Sequence, residues 1–227
     1  MKNLRTRIAI LVISFVSFLG FQTTANSVEG LSIGLGYTSS VFAGTGKETS
    51  TSGANTVRTT GNQETGIFTD STGSIFAEYG VGMLSIGIEY NLEDIQTPEN
   101  TNIQSLTATS GTEVTNTVKA SFKDHTSIYA HLNFTENAYL KAGYLMTSVA
   151  TEENLGTGGA YGDVDISGYT VGVGYQHNLE NGFFVRAEGT ASDYEDISAN
   201  NSNEVDKRID ISDMYGVNGS IKIGKTF

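Results

Sequence analysis

A two-residue rhythm of apolar side chains recurs along the chain, and it limits the fold more than any other feature of the sequence. In GYTVGVGYQHNLENGFFVRAEG, residues 168–189, two alternating runs flank the polar turn LENG. Alternation with period two predicts β-strands, and the Asn-Gly turn predicts that the runs form a hairpin. The row opposite the apolar side chains is unlike a surface made for water, because it is rich in glycine and holds Arg186 close to Glu188.

The same alternation predicts about eight strands after the first 25 residues. Besides the quoted hairpin, it appears in GLSIGLGY, SIFAEYG, MLSIGIEYNL, SIYAHLNF, YLKAGYLM and MYGVNGSIKIGKTF. In SIYAHLNF the apolar row extends back through Phe122 and Val118. Each run is near the ten-residue length that a tilted membrane-spanning strand requires.

Short and long connections alternate between these runs. Tight turns at 80–83, 135–137 and 180–182 contrast with polar segments at 43–72, 93–116, 148–165 and 193–211. This asymmetry is typical of an outer-membrane barrel with short periplasmic turns and long extracellular loops. The stretches 45–61 and 97–113 are low in apolar residues, and we expect them to be mobile or to extend the strands as hairpins above the membrane.

Aromatic side chains on the apolar face fall at both ends of the predicted strands. Those at the long-loop ends are Tyr37, Tyr90, Tyr144, Tyr169 and Tyr215, and those at the short-turn ends are Tyr79, Phe134, Tyr175, Phe183 and Phe227. Two aromatic girdles separated by aliphatic residues match the two interfaces of a bilayer, whereas scattered core aromatics of a soluble sandwich are the alternative. The sequence therefore predicts an all-β, eight-stranded antiparallel up-and-down transmembrane β-barrel, with the apolar row facing lipid.

The first 25 residues have the layout of a secretory signal peptide. Lys2, Arg5 and Arg7 precede an apolar stretch at 8–21, and small and polar residues follow. Cleavage fits after Ala25 or after Ser27, and the sequence does not choose between them. An uncleaved anchor is the alternative, although about 14 apolar residues fall short of the roughly 20 that span a bilayer. We therefore assign 1–25 to the leader and 26–227 to the barrel.

The charge of the chain limits its partners. The sequence has 13 basic and 25 acidic residues, so removing the three leader bases leaves 10 − 25 = −15. Phosphates would repel such a chain, and we predict no nucleic-acid partner. The chain has no cysteine, which excludes disulfides and thiol chemistry.

Together, the strand pattern, LKAGY in the fifth strand, GYTVGVGY in the sixth and the final IKIGKTF resemble the small outer-membrane β-barrels related to OmpA and OmpX, including opacity-type adhesins and surface-antigen barrels. The resemblance covers essentially the whole chain after the leader. It implies a cell outer-membrane location in contact with lipid and lipopolysaccharide. It also implies that Phe227, the terminal aromatic residue, is recognised by the barrel-assembly machinery.

Six charged residues occupy the inward rows: Glu78, Glu89, Lys141, Arg186, Glu188 and Lys222. An isolated charge in a narrow barrel carries a large desolvation cost, which pairing offsets. The resemblance implies a lumen charge network, in which exchange of partners has been proposed as a gate in OmpA-like barrels. A static ion-paired core that fixes strand register is the alternative, and we favour it because an eight-stranded lumen is normally filled.

No convergent catalytic, cofactor or metal site is evident in the sequence. Asp124 and His125 lie near one rim and could form half of a catalytic dyad, but a solvated loop base is the better explanation. His131 points inward and His177 lies by a turn. The acidic stretches 163–168 and 193–197 lack a full calcium-loop spacing. We therefore predict that the protein is not an enzyme and holds no metal or cofactor.

Two functions remain open from the sequence. In the first, the barrel is a scaffold whose extracellular loops contact host, cell-surface or phage ligands. In the second, it is a small pore for passive passage of solutes. Glycine in the inward rows favours space for a pore, whereas Phe76, Tyr129, Phe184 and the charged residues favour a plug.

Overall fold

The computed structural model describes residues 29–50, 63–105, 113–155, 160–202 and 207–227. Within these ranges it contains β1 (Gly30–Ser50), β2 (Gln63–Val81), β3 (Leu84–Asn91), β4 (Ile95–Gln96), β5 (Asn100–Ser105), β6 (Glu113–Asn133), β7 (Ala138–Leu155), β8 (Val164–Asn178), β9 (Phe183–Tyr194), β10 (Ile197–Asn200) and β11 (Lys207–Thr226). None of the described residues belongs to a helix long and apolar enough to cross a bilayer. The predicted leader and its two cleavage positions lie outside these ranges.

Eight of the strands close into one antiparallel barrel. They pair in the order β1, β2, β3, β6, β7, β8, β9 and β11, and β11 then pairs with β1. The closing seam runs from Ser32 opposite Thr226 to Ser50 opposite Lys207. Closure pairs the backbone N–H and C=O groups that hydrocarbon would leave unsatisfied at several kcal/mol each. The predicted eight-stranded antiparallel barrel is confirmed.

Short turns connect the strands at one end of the barrel. Two residues join β2 to β3, residues 134–137 join β6 to β7, and the 3₁₀ turn Glu180–Gly182 lies between β8 and β9. Gly82, Asn181 and Gly182 have φ values of 60°, 60° and 79°. Glycine and asparagine tolerate this left-handed conformation, which explains why the sequence places them at these turns.

At the other end, most of the described residues in the segments predicted as long loops form paired strands. The β1–β2 pairing continues to Lys47 opposite Gln63. The short strands β4 and β5 follow β3 along β6, and β10 pairs with β11. The barrel wall therefore continues beyond the membrane, and β6 reaches 21 residues where about ten were predicted from a spanning strand.

The two faces of the wall have the inverse of a soluble protein's polarity. Large apolar side chains such as Leu35, Ile86 and Ile221 are exposed on the outside, whereas Glu78 and Arg186 are buried inside. Burial of charge and exposure of aliphatic residues is stable only if the outside solvent is hydrocarbon. The apolar row therefore faces lipid, as predicted.

Two β-bulges reverse this alternation beyond the membrane. The β6–β7 register shifts between Lys123 and Thr126, and the β1–β11 register shifts between Ala43 and Thr45. Because one extra residue in a strand exchanges its two faces, Phe122 packs against buried apolar side chains of the interior. The prediction that Phe122 lies on the lipid-facing row was wrong for this reason.

We predict that Ile221→Arg lowers the free energy of unfolding by about 2–4 kcal/mol, because the charge would enter the hydrocarbon. Denaturant titration in phospholipid vesicles measures this change. Ile67→Arg is the matched control, since Ile67 is the same residue type and is also exposed, but lies on the extension of β2 beyond the membrane. It should change the free energy by less than about 1 kcal/mol. Equal losses in both variants would contradict the assigned lipid face.

Candidate functional site

All six charged residues of the inward rows lie together in the lumen. Five strands contribute them: Glu78 comes from β2, Glu89 from β3, Lys141 from β7, Arg186 and Glu188 from β9, and Lys222 from β11. Each residue is at most 8 % exposed. We call this group the lumen charge cluster. Its three carboxylates and three cations give a formal charge of zero inside a chain whose net charge is −12.

One part of the lumen charge cluster is a two-pronged pair between Arg186 and Glu78. The guanidinium donates from Nη1 to Glu78 Oε2 at 2.9 Å and from Nη2 to Glu78 Oε1 at 2.6 Å. Its Nε and Nη2 also donate to the Gln176 side-chain oxygen, at 3.1 and 2.6 Å. The fork of the guanidinium matches the two carboxylate oxygens, so this pair fixes the positions of β2 and β9 across the lumen.

The other part is a ring of alternating charges. Lys141 Nζ lies 3.2 Å from Glu89 Oε2 and 3.0 Å from Glu188 Oε2. Lys222 Nζ contacts the same two oxygens at 2.5 and 2.9 Å. Each lysine therefore has two carboxylate partners, and each carboxylate has two lysine partners. Such mutual pairing offsets the desolvation of all four groups.

Neutral side chains complete the hydrogen bonds of the carboxylates. Tyr139 donates its hydroxyl to Glu188 at 2.6 Å, Tyr129 donates to Glu78 at 3.1 Å, and Ser74 donates to Glu89 at 2.8 Å. Sequence reasoning did not include Tyr139, Ser74 or Gln176 in the network. Tyr139 and Ser74 share the inward parity of Lys141 and Glu78 on their own strands, and Gln176 lies in the inward row of β8. That parity is the signal that could have found them.

The inward glycines leave room for aromatic rings rather than for a channel. A methyl group added at Gly87 would overlap the ring of Tyr129, and one added at Gly174 would overlap the ring of Tyr139. Gly34 and Gly224 stand in the same relation to Phe76 and Phe184. The space suggested by the glycine-rich rows is therefore filled by side chains from neighbouring strands.

A small polar cavity and an apolar layer lie on the extracellular side of the lumen charge cluster. The cavity measures about 60 Å³ and is lined by hydroxyl side chains, including those of Ser40, Thr72 and Ser127. That volume accommodates a few water molecules. Beyond it, buried apolar side chains pack together in the interior: Phe42, Ile95, Leu145, Val149, Ile166, Tyr194, Ile197 and Met214.

The rim residues Asp124 and His125 do not form a catalytic pair. Asp124 is exposed and accepts a hydrogen bond from the Tyr90 hydroxyl at 2.9 Å. The His125 ring instead lies 3.1 Å from the Tyr194 hydroxyl, measured from Nε2. In the described ranges, no group of three or more His, Asp or Glu side chains is arranged to hold a metal ion.

The predicted girdle residues lie on the outer surface, with Phe134 partly buried at the end of β6. Tyr144 and Tyr169 pair across β7 and β8 with ring centroids 5.4 Å apart. Phe227 is exposed, and its N–H donates to the Leu31 carbonyl at 2.9 Å. Its role as an assembly signal stays a prediction.

The lipid-facing wall, the closed ring and the buried charges agree with a family model described as "Outer membrane protein beta-barrel domain", which matches residues 8–208. The chain belongs to this family. Its location is therefore the outer membrane, and the resemblance to small outer-membrane barrels is confirmed. No curated protein matches the chain in sequence at a significant level.

Solved structures with the same fold include the outer membrane protein OprG from Pseudomonas aeruginosa. The likeness has a TM-score of 0.53 at 10% identity and covers 91% of this chain and 100% of OprG. The outer membrane protease OmpT from Escherichia coli gives 0.43 at 9%, covering 90% and 99%. Neisserial surface protein A gives 0.37 at 12%, covering 85% and 97%. At these identities the likeness shows the fold alone.

We predict that Arg186→Met lowers the free energy of unfolding by about 3–5 kcal/mol, because Glu78 would remain buried without its cation. The double variant Glu78→Leu/Arg186→Met should recover most of this loss, since neither charge then remains. Urea titration in detergent micelles measures the free energy of unfolding of both variants. The control is Arg208→Met, which breaks a pair with Asp210 in which the arginine is 52% exposed. Its effect should stay below about 1 kcal/mol.

Proposed function

We propose that this protein is a closed outer-membrane scaffold that acts through its extracellular part, by contact with host, cell-surface or phage ligands. The observation that carries the proposal is the filled lumen. The lumen charge cluster is neutral and internally paired, and the adjacent rings occupy the space beside the inward glycines. A lumen in this condition offers no continuous aqueous path, so the function belongs to the outer surface.

The extracellular strands support this role. Most of the described residues outside the membrane are held in register by backbone pairing, as in the continuation of β1 and β2 to Lys47 and Gln63. At the exposed positions of such a support, sequence change costs little stability. The proposal involves no catalysis. The side chains of Asp124 and His125 bond to two different tyrosines, Tyr90 and Tyr194.

The proposal includes how the protein reaches its site. A leader at 1–25, or 1–27, would direct export, and Phe227 would be recognised by the barrel-assembly machinery. Once assembled, the aromatic girdles would sit at the interfaces and the outer one would contact lipopolysaccharide.

The second candidate is a small gated pore, and one observation favours it. Lys141 and Lys222 each contact both Glu89 and Glu188, so a lysine can change partner without leaving the lumen charge cluster. Opening would also require the apolar layer around Phe42 and Leu145 to separate.

Conductance distinguishes the scaffold from the pore. We expect the wild-type protein in planar bilayers to show no single-channel conductance above the lipid baseline. The Arg186→Ala variant should also show none. Proteoliposomes should not swell in isosmotic arabinose. Only protein with the heat-shifted gel mobility of a folded barrel is compared. Conductance that changes in Arg186→Ala would support the gated pore instead.

Cell binding tests the surface role directly. We expect binding of purified, labelled protein to host cells to fall at least about fivefold when an extracellular hairpin is trimmed, because the contact surface is removed. One trimmed variant joins Val149 to Val164, which are paired in register. Glu180→Gln, in a short turn on the opposite end, is the control and should bind normally. Normal binding by every trimmed variant would contradict the proposal.

A further inference from the structure

The extension of β2 beyond the membrane has a free sheet edge within the described ranges. Inside the membrane β2 pairs with β1 and with β3, but pairing with β3 ends at Ser74 opposite Asn91. From Thr72 back to Gln63 the strand pairs only with β1, and β5 pairs with β6 instead. We call residues 63–69 of β2 the free edge.

The direction of the backbone groups on this edge follows from the bonds nearest the membrane. At Gly73 the carbonyl accepts from Leu92 N–H at 2.9 Å and the N–H donates to Glu93 Oε2 at 3.2 Å. Both groups of Gly73 therefore point away from β1. In an antiparallel ladder without a bulge, every second residue repeats this direction. The N–H and C=O groups of Thr65, Ile67 and Thr69 thus point outward from the edge.

These three positions have no hydrogen-bond partner for their outward backbone groups among the described residues. The next position towards the membrane differs, because Ser71 N–H donates to Asp70 Oδ1 at 2.8 Å. Asp70 also accepts from Gln96 N–H, at 2.7 Å, which closes the edge below it. The open stretch is therefore bounded and presents three donors and three acceptors in a row.

The free edge also lacks several of the features that usually prevent strand addition. Its sequence, QETGIFT, has no lysine and no proline, and its register with β1 is continuous. Ile67 is 71% exposed, and it lies six residues beyond Gly73, which is opposite Tyr37 of the outer girdle. That separation is about 20 Å along the strand. Lipid therefore does not account for an exposed isoleucine on an unprotected edge.

Charge identifies the kind of segment that fits. Glu64 and Asp70 lie three residues on either side of Ile67, and Glu93 is held beside Gly73. If the free edges of two copies paired with Ile67 opposite Ile67, Glu64 of each copy would lie opposite Asp70 of the other copy. Like charges in directly opposed positions are destabilising, so this pairing is disfavoured. A basic segment would instead pair with both acids.

We propose that the free edge binds an extended cationic segment of a partner protein as an added antiparallel β-strand. The segment has an apolar residue opposite Ile67 and bases three positions before and after it. Backbone hydrogen bonds supply affinity, and the side chains at these three positions supply specificity. This inference extends the proposed surface role, because it names one contact site and its class of partner.

The test uses the full barrel in phosphatidylcholine nanodiscs and a fluorescein-labelled peptide of sequence TKTTVTTKT. We expect saturable binding that weakens with added salt. Thr69→Pro should weaken it about tenfold, because proline removes one outward donor and leaves the ladder with β1 intact. Thr69→Ala keeps the N–H and should bind normally. Glu64→Gln should bind several-fold more weakly, whereas Glu152→Gln, an exposed acid on β7, should not differ from wild type.

Several results would overturn the inference. They are absence of binding to the wild type, equal binding by Thr69→Pro, and equal binding of a peptide N-methylated at alternate residues. A wild-type dimer that Thr69→Pro dissociates would identify a second copy as the occupant. Binding that appears only after deletion of 106–112 would identify the chain's own segment. Gel mobility after heating confirms that each variant is folded.

Cell binding separates this inference from the proposed function. If cells bind Thr69→Pro normally but not the variant that joins Val149 to Val164, the inference fails and the surface role stands. If the peptide binds as expected but every trimmed hairpin leaves cell binding normal, the surface role fails and the peptide site stands.

Discussion

Hydrocarbon offers no hydrogen bonds to a polypeptide backbone, and the rest of this structure depends on that fact. Strands that cross the bilayer leave no backbone group unpaired only if each of them has two neighbours, so β11 must return to β1. Closure then fixes which side chains face which solvent. Since the outside is lipid, residues such as Ile86 and Ile221 lie where a soluble protein would place charges.

A closed ring of eight strands has an interior that side chains must fill, and the sequence fills it with polar groups. Such groups are stable there only when each has a partner, which explains why three acids meet three bases. Filling also requires large rings such as Tyr129 to lie over small neighbours such as Gly87. Glycine and charge in the inward rows are thus two parts of one packing arrangement.

Much of this arrangement follows from the period of the sequence, and the exceptions have a physical cause. Parity alone places Glu78 and Arg186 inside, and parity with the Asn-Gly turn defines the hairpin of β8 and β9. Parity cannot reveal which acid meets which base, because that depends on the stagger of strands distant in sequence. It also fails for Phe122, since the bulge beside Asp124 inserts a residue and exchanges the faces.

The requirement that every backbone group be paired, which closes the barrel, does not apply above the membrane. Water hydrogen-bonds to a free backbone, so a strand there can have one neighbour at little cost. The wall opens beside β2 at the level where Glu93 accepts a hydrogen bond from Gly73 N–H and Asp70 accepts one from Gln96 N–H. Edge-forming strands usually carry a lysine, a proline or a bulge, which keep other strands away. The stretch around Ile67 has none of these. The acidic residues that flank this edge disfavour pairing with a second copy and favour a basic strand. The selectivity therefore arises from charge, and the affinity arises from backbone hydrogen bonds.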